Sequence, residues 1–239
     1  MNIAVVIPCY NEEDSLESLL EDFEKYTSDL EDNYVAIIVN DCSKDSTPLI
    51  AKRLNCVLLD LPVNLGIGGA VQTGFKYGLL HDFDLVIQMD GDGQHPPSEI
   101  GKLVDAYKAG KAEVIIGSRF IENQGFQSTQ IRRVGIQYFS FLIKALTGIS
   151  ISDPTSGFRA FGRDAMQIVC SYYPEKYPEP EIIICFYHHG LKMTEIPVVM
   201  KDRQGGKSSI HSWKSAYYMI KVTLGILFSH LRINFYGNY

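Results

Sequence analysis

The sequence predicts an α/β protein whose largely parallel central sheet is flanked by helices. Two observations lead there. Short apolar runs alternate with helical-period stretches through the first 120 residues, and the polar motifs fall where the runs end. The chain of 239 residues is 46% hydrophobic and 21% charged, enough to bury one substantial core and too apolar for a largely disordered chain.

The elements follow in order. Ile3–Ile7 is a buried strand ended by Pro8, and Asn11 can cap a helix carrying Leu16, Leu19, Leu20 and Phe23. Tyr34–Val39 is a second strand, running into the turn Asn40-Asp41-Cys42-Ser43. A helix over Asp45–Leu54, a strand over Val57–Leu61 and a glycine-interrupted helix over Gly68–Leu80 come next. The strand Asp84–Met89 ends in Asp90-Gly91-Asp92-Gly93-Gln94-His95-Pro96-Pro97. Pro97 suits a helix start, and Ile100, Leu103, Val104 and Tyr107 mark its apolar side. Glu113–Ile116 is a further strand, stopping at Gly117-Ser118-Arg119. The second half is less regular, with helices near Ile131–Leu146 and Arg163–Cys170, a polar loop at Asp153–Arg159, and apolar stretches at Ile182–Phe186 and Ile196–Met200. In a parallel sheet ligands gather at the carboxyl ends of the strands, so these polar motifs are the candidate site.

Charge is unevenly spread. From Lys201 onward there are six basic residues and one acidic, so this tail carries +5 and the rest −11 of the total −6. An acidic body argues against nucleic acid as a partner, while a basic tail suits an anionic surface or substrate. The five cysteines are odd in number and lack CxxC spacing, which predicts reduced thiols and no zinc site. Pro8, Glu12 and Glu13 arrive too early for a signal peptide, and no run has the roughly 18–20 apolar residues of a membrane span. A cytoplasmic location is expected. The stretch Trp213–Leu231 is long and apolar but broken by Lys214, Lys221 and His230. It fits an interfacial helix or a membrane hairpin limb, and equally a helix packed on the core or on a subunit partner.

Several residues carry candidate chemistry. Asp90 and Asp92 bring two carboxylates to one strand end, where hard oxygen ligands together with diphosphate oxygens suit Mg²⁺ or Mn²⁺. Gln94 or His95 would join Asp92, unless the motif is only a polar turn; it does not continue as an EF-hand loop. Asp41 can accept hydrogen bonds from a base or ribose, or cap a turn. Asn64–Ala70 departs from GxGxxG, leaving Gly68 either a ligand contact or a packing residue. Gly205-Gly206-Lys207-Ser208-Ser209 is no Walker loop, because position 201 is Lys, yet Arg203 and Lys207 can clamp a diphosphate. Arg119, Arg132 and Arg133 can receive an anionic acceptor or stay solvated. Glu181 can be a base, hold a sugar hydroxyl, or anchor the next element.

Taken in order, Val5–Glu12, Asn64–Ala70, Met89–His95, Gly117–Arg119, Asp153–Arg159 and Arg203–Ile210 resemble the family 2 glycosyltransferases of the GT-A fold. Within them the chain is most similar to bacterial polyprenyl-phosphate sugar synthases, relatives of dolichol-phosphate mannose synthase. The resemblance implies a catalytic domain over 1–210 and a membrane-associating or partner-binding extension over 211–239. It implies that Pro8, Tyr10, Glu12, Asp41 and Gly68 surround the nucleotide-sugar, while Asp90, Asp92 and Gln94 organise the metal and diphosphate. Arg119, Arg132 and Arg133 would take the acceptor phosphate, and Arg203 and Lys207 would close over the donor. Asn40 departs from the family's commoner Asp at that place.

The implied reaction is inverting transfer from a nucleotide-sugar, with UDP-GlcNAc or UDP-glucose preferred over GDP-mannose, to polyprenyl phosphate. It would occur at the inner face of the cell membrane, with peripheral attachment and in some relatives a small integral membrane protein as partner. A saccharide hydroxyl is the alternative acceptor and would make Glu181 a base; a silent membrane scaffold is the alternative of another class.

Overall fold

The computed structural model describes residues 1–175, 177–202 and 212–236. Arg203 and Lys207 therefore lie outside the described residues. Strands β1 (Asn2–Cys9), β2 (Asn33–Asn40), β3 (Val57–Asp60), β4 (Leu85–Gln88), β5 (Val114–Ser118), β6 (Arg159–Phe161) and β7 (Met193–Pro197) form one sheet in the order β3-β2-β1-β4-β6-β5-β7. All neighbours are parallel except β6, which runs antiparallel to both β4 and β5. The sheet is largely parallel, as expected, and β6 is its one antiparallel strand. Three residues are too few to show a period, so β6 read as the end of a loop.

The first half holds helices α1 (Leu16–Thr27), α2 (Thr47–Arg53), α3 (Gly66–Leu80) and α4 (Ile100–Lys108), the last entered through a 3₁₀ turn at Pro97–Glu99. The second half holds α5 (Gln130–Thr147), α6 (Arg163–Ser171), α7 (Pro178–His188) and α8 (Ser212–Tyr236). The apolar stretch Ile182–Phe186 is thus helical, and Ile196 lies in β7, which ends at Pro197.

Two cores sit on the two faces of the sheet. Ile3, Val5 and Ile7 of β1 point to the core under α1, α2 and α4, while Ala4 and Val6 point to the core under α3 and α5–α8. Both faces of β1 are covered, which is why it reads as an unbroken apolar run instead of an alternating one. Helix ends use local chemistry. The Thr129 side chain accepts the Arg132 N–H at the start of α5, and Gly148 ends that helix with φ +78°. α8 buries Val222, Ile226 and Ser229 against this second layer. No helix among the described residues is long and apolar enough to cross a membrane.

Candidate active site

The carboxyl ends of β1 and β2 build one wall. The loop after β1 is laced to the loop after β2: Asn11 N–H donates to Ser43 Oγ at 3.0 Å, Glu12 N–H to Thr47 Oγ1 at 2.9 Å and Ser46 N–H to Glu13 Oε2 at 2.9 Å. Pro8 is buried at the end of β1, and Tyr10 stands 45% exposed above it. Asp41 is buried, and its carboxylate accepts the backbone N–H groups of Leu65 (2.6 Å) and Gly66 (2.9 Å), fastening the start of α3. Asn40 donates to Asp60 Oδ1 at 2.7 Å, tying β2 to β3. Gly68 is a packing glycine, because a Cβ there would come within 2.2 Å of the Pro174 carbonyl oxygen.

The acidic turn follows β4. Asp92 is buried and accepts the Gln94 N–H at 3.0 Å, while Asp90 leaves 37% of its side chain exposed. The Asp90 N–H donates to His95 Nδ1 at 3.0 Å, so the His95 ring carries its proton on Nε2. That ring stacks on Phe158 at 5.0 Å between centroids, which makes His95 a brace of the turn. Lys201 N–H donates to the Gln94 carbonyl at 2.9 Å, which places Lys201 beside this turn.

Opposite lies the loop before β6. Arg119, at the end of β5, makes a two-pronged contact with the fully buried Asp153, Nε to Oδ2 at 2.7 Å and Nη2 to Oδ1 at 2.8 Å. Burial works against the Arg119 charge, and the Asp153 bonds and charge more than offset it, so its pKa rises. The Arg119 and Arg133 guanidinium groups lie 5.4 and 5.7 Å from the Phe120 ring centre. Arg132 is exposed in the first turn of α5. Arg159 is buried without a carboxylate bond among those resolved; its three nitrogens donate to the carbonyls of Ser156, Glu179 and Pro154 at 2.7–2.9 Å. It pins the loop to the start of α7.

Residues 4–169 match the Glycosyl transferase family 2 profile. The chain belongs to glycosyl transferase family 2. An uncharacterized protein of Methanocaldococcus jannaschii is 32% identical over 199 residues, covering 82% of this chain and 80% of that one. The UDP-N-acetylglucosamine–dolichyl-phosphate N-acetylglucosaminyltransferase of Methanococcus voltae is 28% identical, covering 82% of this chain and 84% of its own. Among solved structures, glucosyl-3-phosphoglycerate synthase of Mycobacterium tuberculosis, in complex with Mn²⁺, UDP-glucose and phosphoglyceric acid, superposes with TM-score 0.72 at 17% identity. That match covers 96% of this chain and 79% of the other, and it shows the GT-A fold. The activity class of this family 2 glycosyltransferase is transfer of a sugar from a nucleoside-diphosphate donor.

Within this glycosyltransferase the two glutamates that open α7 part company. Glu181 turns to α8, its Oε1 accepting Ser229 Oγ of that helix at 2.8 Å and Tyr172 Oη, just past α6, at 2.6 Å. Glu179 lies instead within electrostatic reach of Arg159 and Asp90. Burial raises its carboxyl to about 7, with Arg159 opposing and Asp90 adding to the shift. Tyr218 of α8 is within electrostatic reach of Glu179, Arg132 and Arg119, and burial holds its phenol protonated. Beneath Asp90, Tyr173 Oη donates to Gln88 Oε1 at 3.0 Å, both residues being buried. Glu179, Tyr218, Tyr173, Gln88 and Arg159 all escaped the sequence reading. Arg159 closed a motif already noted, and Glu179 stood two residues from the glutamate chosen; the others carried no signal.

Proposed function

We propose that this glycosyltransferase moves a sugar from a UDP-sugar, UDP-GlcNAc or UDP-glucose, to polyprenyl phosphate at the cytoplasmic face of a membrane. One observation carries the lipid acceptor. α8 exposes Tyr217, Ile220, Leu224, Phe228 and Leu231 at helical spacing, and α5 beside it exposes Val134, Tyr138 and Phe141. Thr223 Oγ1 donates to Tyr138 Oη at 3.3 Å across the seam, so the two stripes form one apolar face. Arg132 and Arg133 stand at the first turn of α5, where a lipid lying on that face would present its phosphate. The acceptor named for the Methanococcus voltae relative, dolichyl phosphate, supports the same reading. The extension over 211–239, to which α8 belongs, would then be the membrane contact, alone or with a small integral membrane protein.

In this reading Pro8, Tyr10, Glu12 and Asp41 border the nucleotide, and Arg203 and Lys207 close over it. Among the described residues no three His, Cys, Asp or Glu side chains converge as a metal site. The two hard carboxylates of the acidic turn fit Mg²⁺ or Mn²⁺ only as part of a shell completed by diphosphate oxygens. Asp92 and Asp90, with Gln94 beside them, would hold that ion, which when bound neutralises charge on the departing diphosphate. Arg132 and Arg133 hold the acceptor phosphate, and the Arg119–Asp153 pair keeps the β5 end rigid behind them. An acceptor phosphate oxygen attacks the anomeric carbon from the face opposite the diphosphate. The new C–O bond forms as the old one breaks, UDP leaves with the electron pair, and configuration inverts. An ionised phosphate acceptor needs no base.

A hydroxyl acceptor is the second reading, favoured by one observation: Glu179, with its carboxyl at about 7, is suited to take a hydroxyl proton. The deciding experiment offers radiolabelled UDP- and GDP-sugars and undecaprenyl phosphate to membranes containing the protein, with D92A as control. Label entering the lipid with the wild type and not with D92A is expected. Label entering only a saccharide would move the assignment to the hydroxyl reading.

A further inference from the structure

Under Asp90 lies an amide whose hydrogen-bonding is incomplete. Gln88 is wholly buried, and its Nε2 has no hydrogen-bond partner among the described residues. Buried side-chain donors are nearly always paired, so an orphan at a functional site calls for an acceptor that arrives later. Tyr173 holds the amide by its oxygen. Its hydroxyl donates to Gln88 Oε1 at 3.0 Å, which turns Nε2 away from the phenol.

Nε2 then faces Gly157. A Cβ on that residue would lie 3.4 Å from Gln88 Nε2 and 3.1 Å from Asp90 Oδ1, so the space that a side chain at Gly157 would enter borders both groups. Gln88 is the last residue of β4 and Asp90 follows two residues on, past Met89, which is buried in the core under α1, α2 and α4.

We propose that Gln88 is a positioning residue for Asp90, its Nε2–H donating to the Asp90 carboxylate once nucleotide and metal are bound. Tyr173 orients the amide, and Gly157 leaves the carboxylate room to reach it. The effect is to hold one Asp90 oxygen on the protein and direct the other at the donor. This rests on the reading above that Asp90 serves the donor site.

The test titrates UDP into the full chain with and without Mn²⁺ by calorimetry, alongside the Tm without ligand. The double variant Q88M/Y173F replaces both members of the pair with apolar groups of similar shape, a change that need not weaken the unliganded fold. Its expected signature is a Tm close to wild type and a Kd for UDP with Mn²⁺ raised roughly tenfold. Y173F alone, which only frees the amide to turn, should raise that Kd by about threefold. Wild-type affinity in a normally melting Q88M/Y173F protein would overturn the proposal. If that variant melts early, wild-type affinity in Y173F overturns it instead. A wild-type chain that binds no UDP with Mn²⁺ would overturn the donor reading itself, an outcome distinct from either.

Discussion

Glu181 and Ser229 are joined at 2.8 Å, carboxylate to hydroxyl, and this bond fastens α8 to α7. The same carboxylate oxygen accepts Tyr172 Oη at 2.6 Å, so one residue holds two donors from two directions. Removing it in E181A leaves both hydroxyls without their acceptor, at a cost of about 1–3 kcal/mol. Thermal melting should show that loss, and hydrogen exchange should place it in α8. Donor turnover per folded molecule should stay within about threefold of wild type, less than half a decade of rate. A drop of 100-fold or more in E181Q at unchanged stability would instead return Glu181 to the chemistry.

The Arg119–Asp153 pair is buried on both sides, with Asp153 wholly shielded. D153N would strand a buried guanidinium, and the expected loss of stability is about 3–5 kcal/mol. R119M/D153L, which removes both charges, should be milder than either single change. A denaturant series over the singles and the double would show additivity if the two residues were not a unit.

Glu179 gives the fold a signed pH dependence. Its folded pKa of about 7 exceeds its ordinary value, so the folded protein holds the proton more tightly than the unfolded chain does. Its contribution to stability is therefore full below about pH 4.5 and is lost as pH rises through 7. Melting curves without nucleotide or metal should show wild type falling relative to E179Q across that window. Parallel curves would mean that the carboxyl is solvated.

The apolar face of α5 and α8 is open to a direct assay. L224E/F228E places two charges on it without touching the buried Val222 or Ile226. Each side chain is worth about 1.5–3 kcal/mol when moved out of water, so flotation with anionic vesicles should fall by well over tenfold. UDP binding should be unchanged. Equal flotation of the variant and the wild type would remove the membrane from this face.

The acidic turn, the end of β1 and the Asn40-Asp41 turn were legible because each follows a strand whose apolar run marks its own end. Asp90, Asp92, Pro8 and Asp41 accordingly come to one edge of the sheet. What remained hidden was orientation. Asp41 spends its carboxylate on the α3 backbone, and Gly68 is needed by the approach of Pro174, a residue 106 positions away. The short β6 was missed because its pairing to β4 and β5 is not local.

The sequence by itself determined the alternation of strand and helix, the family, and the order of motifs along the sheet edge, since those depend on local periodicity and spacing. Only the tertiary structure decided which neighbours Glu179 and Glu181 meet. Two residues apart on a helix stand about 200° apart, so one necessarily faces away from whatever the other faces. Which of them meets α8 depends on where that helix lies, and that is a matter of packing between elements distant in the chain.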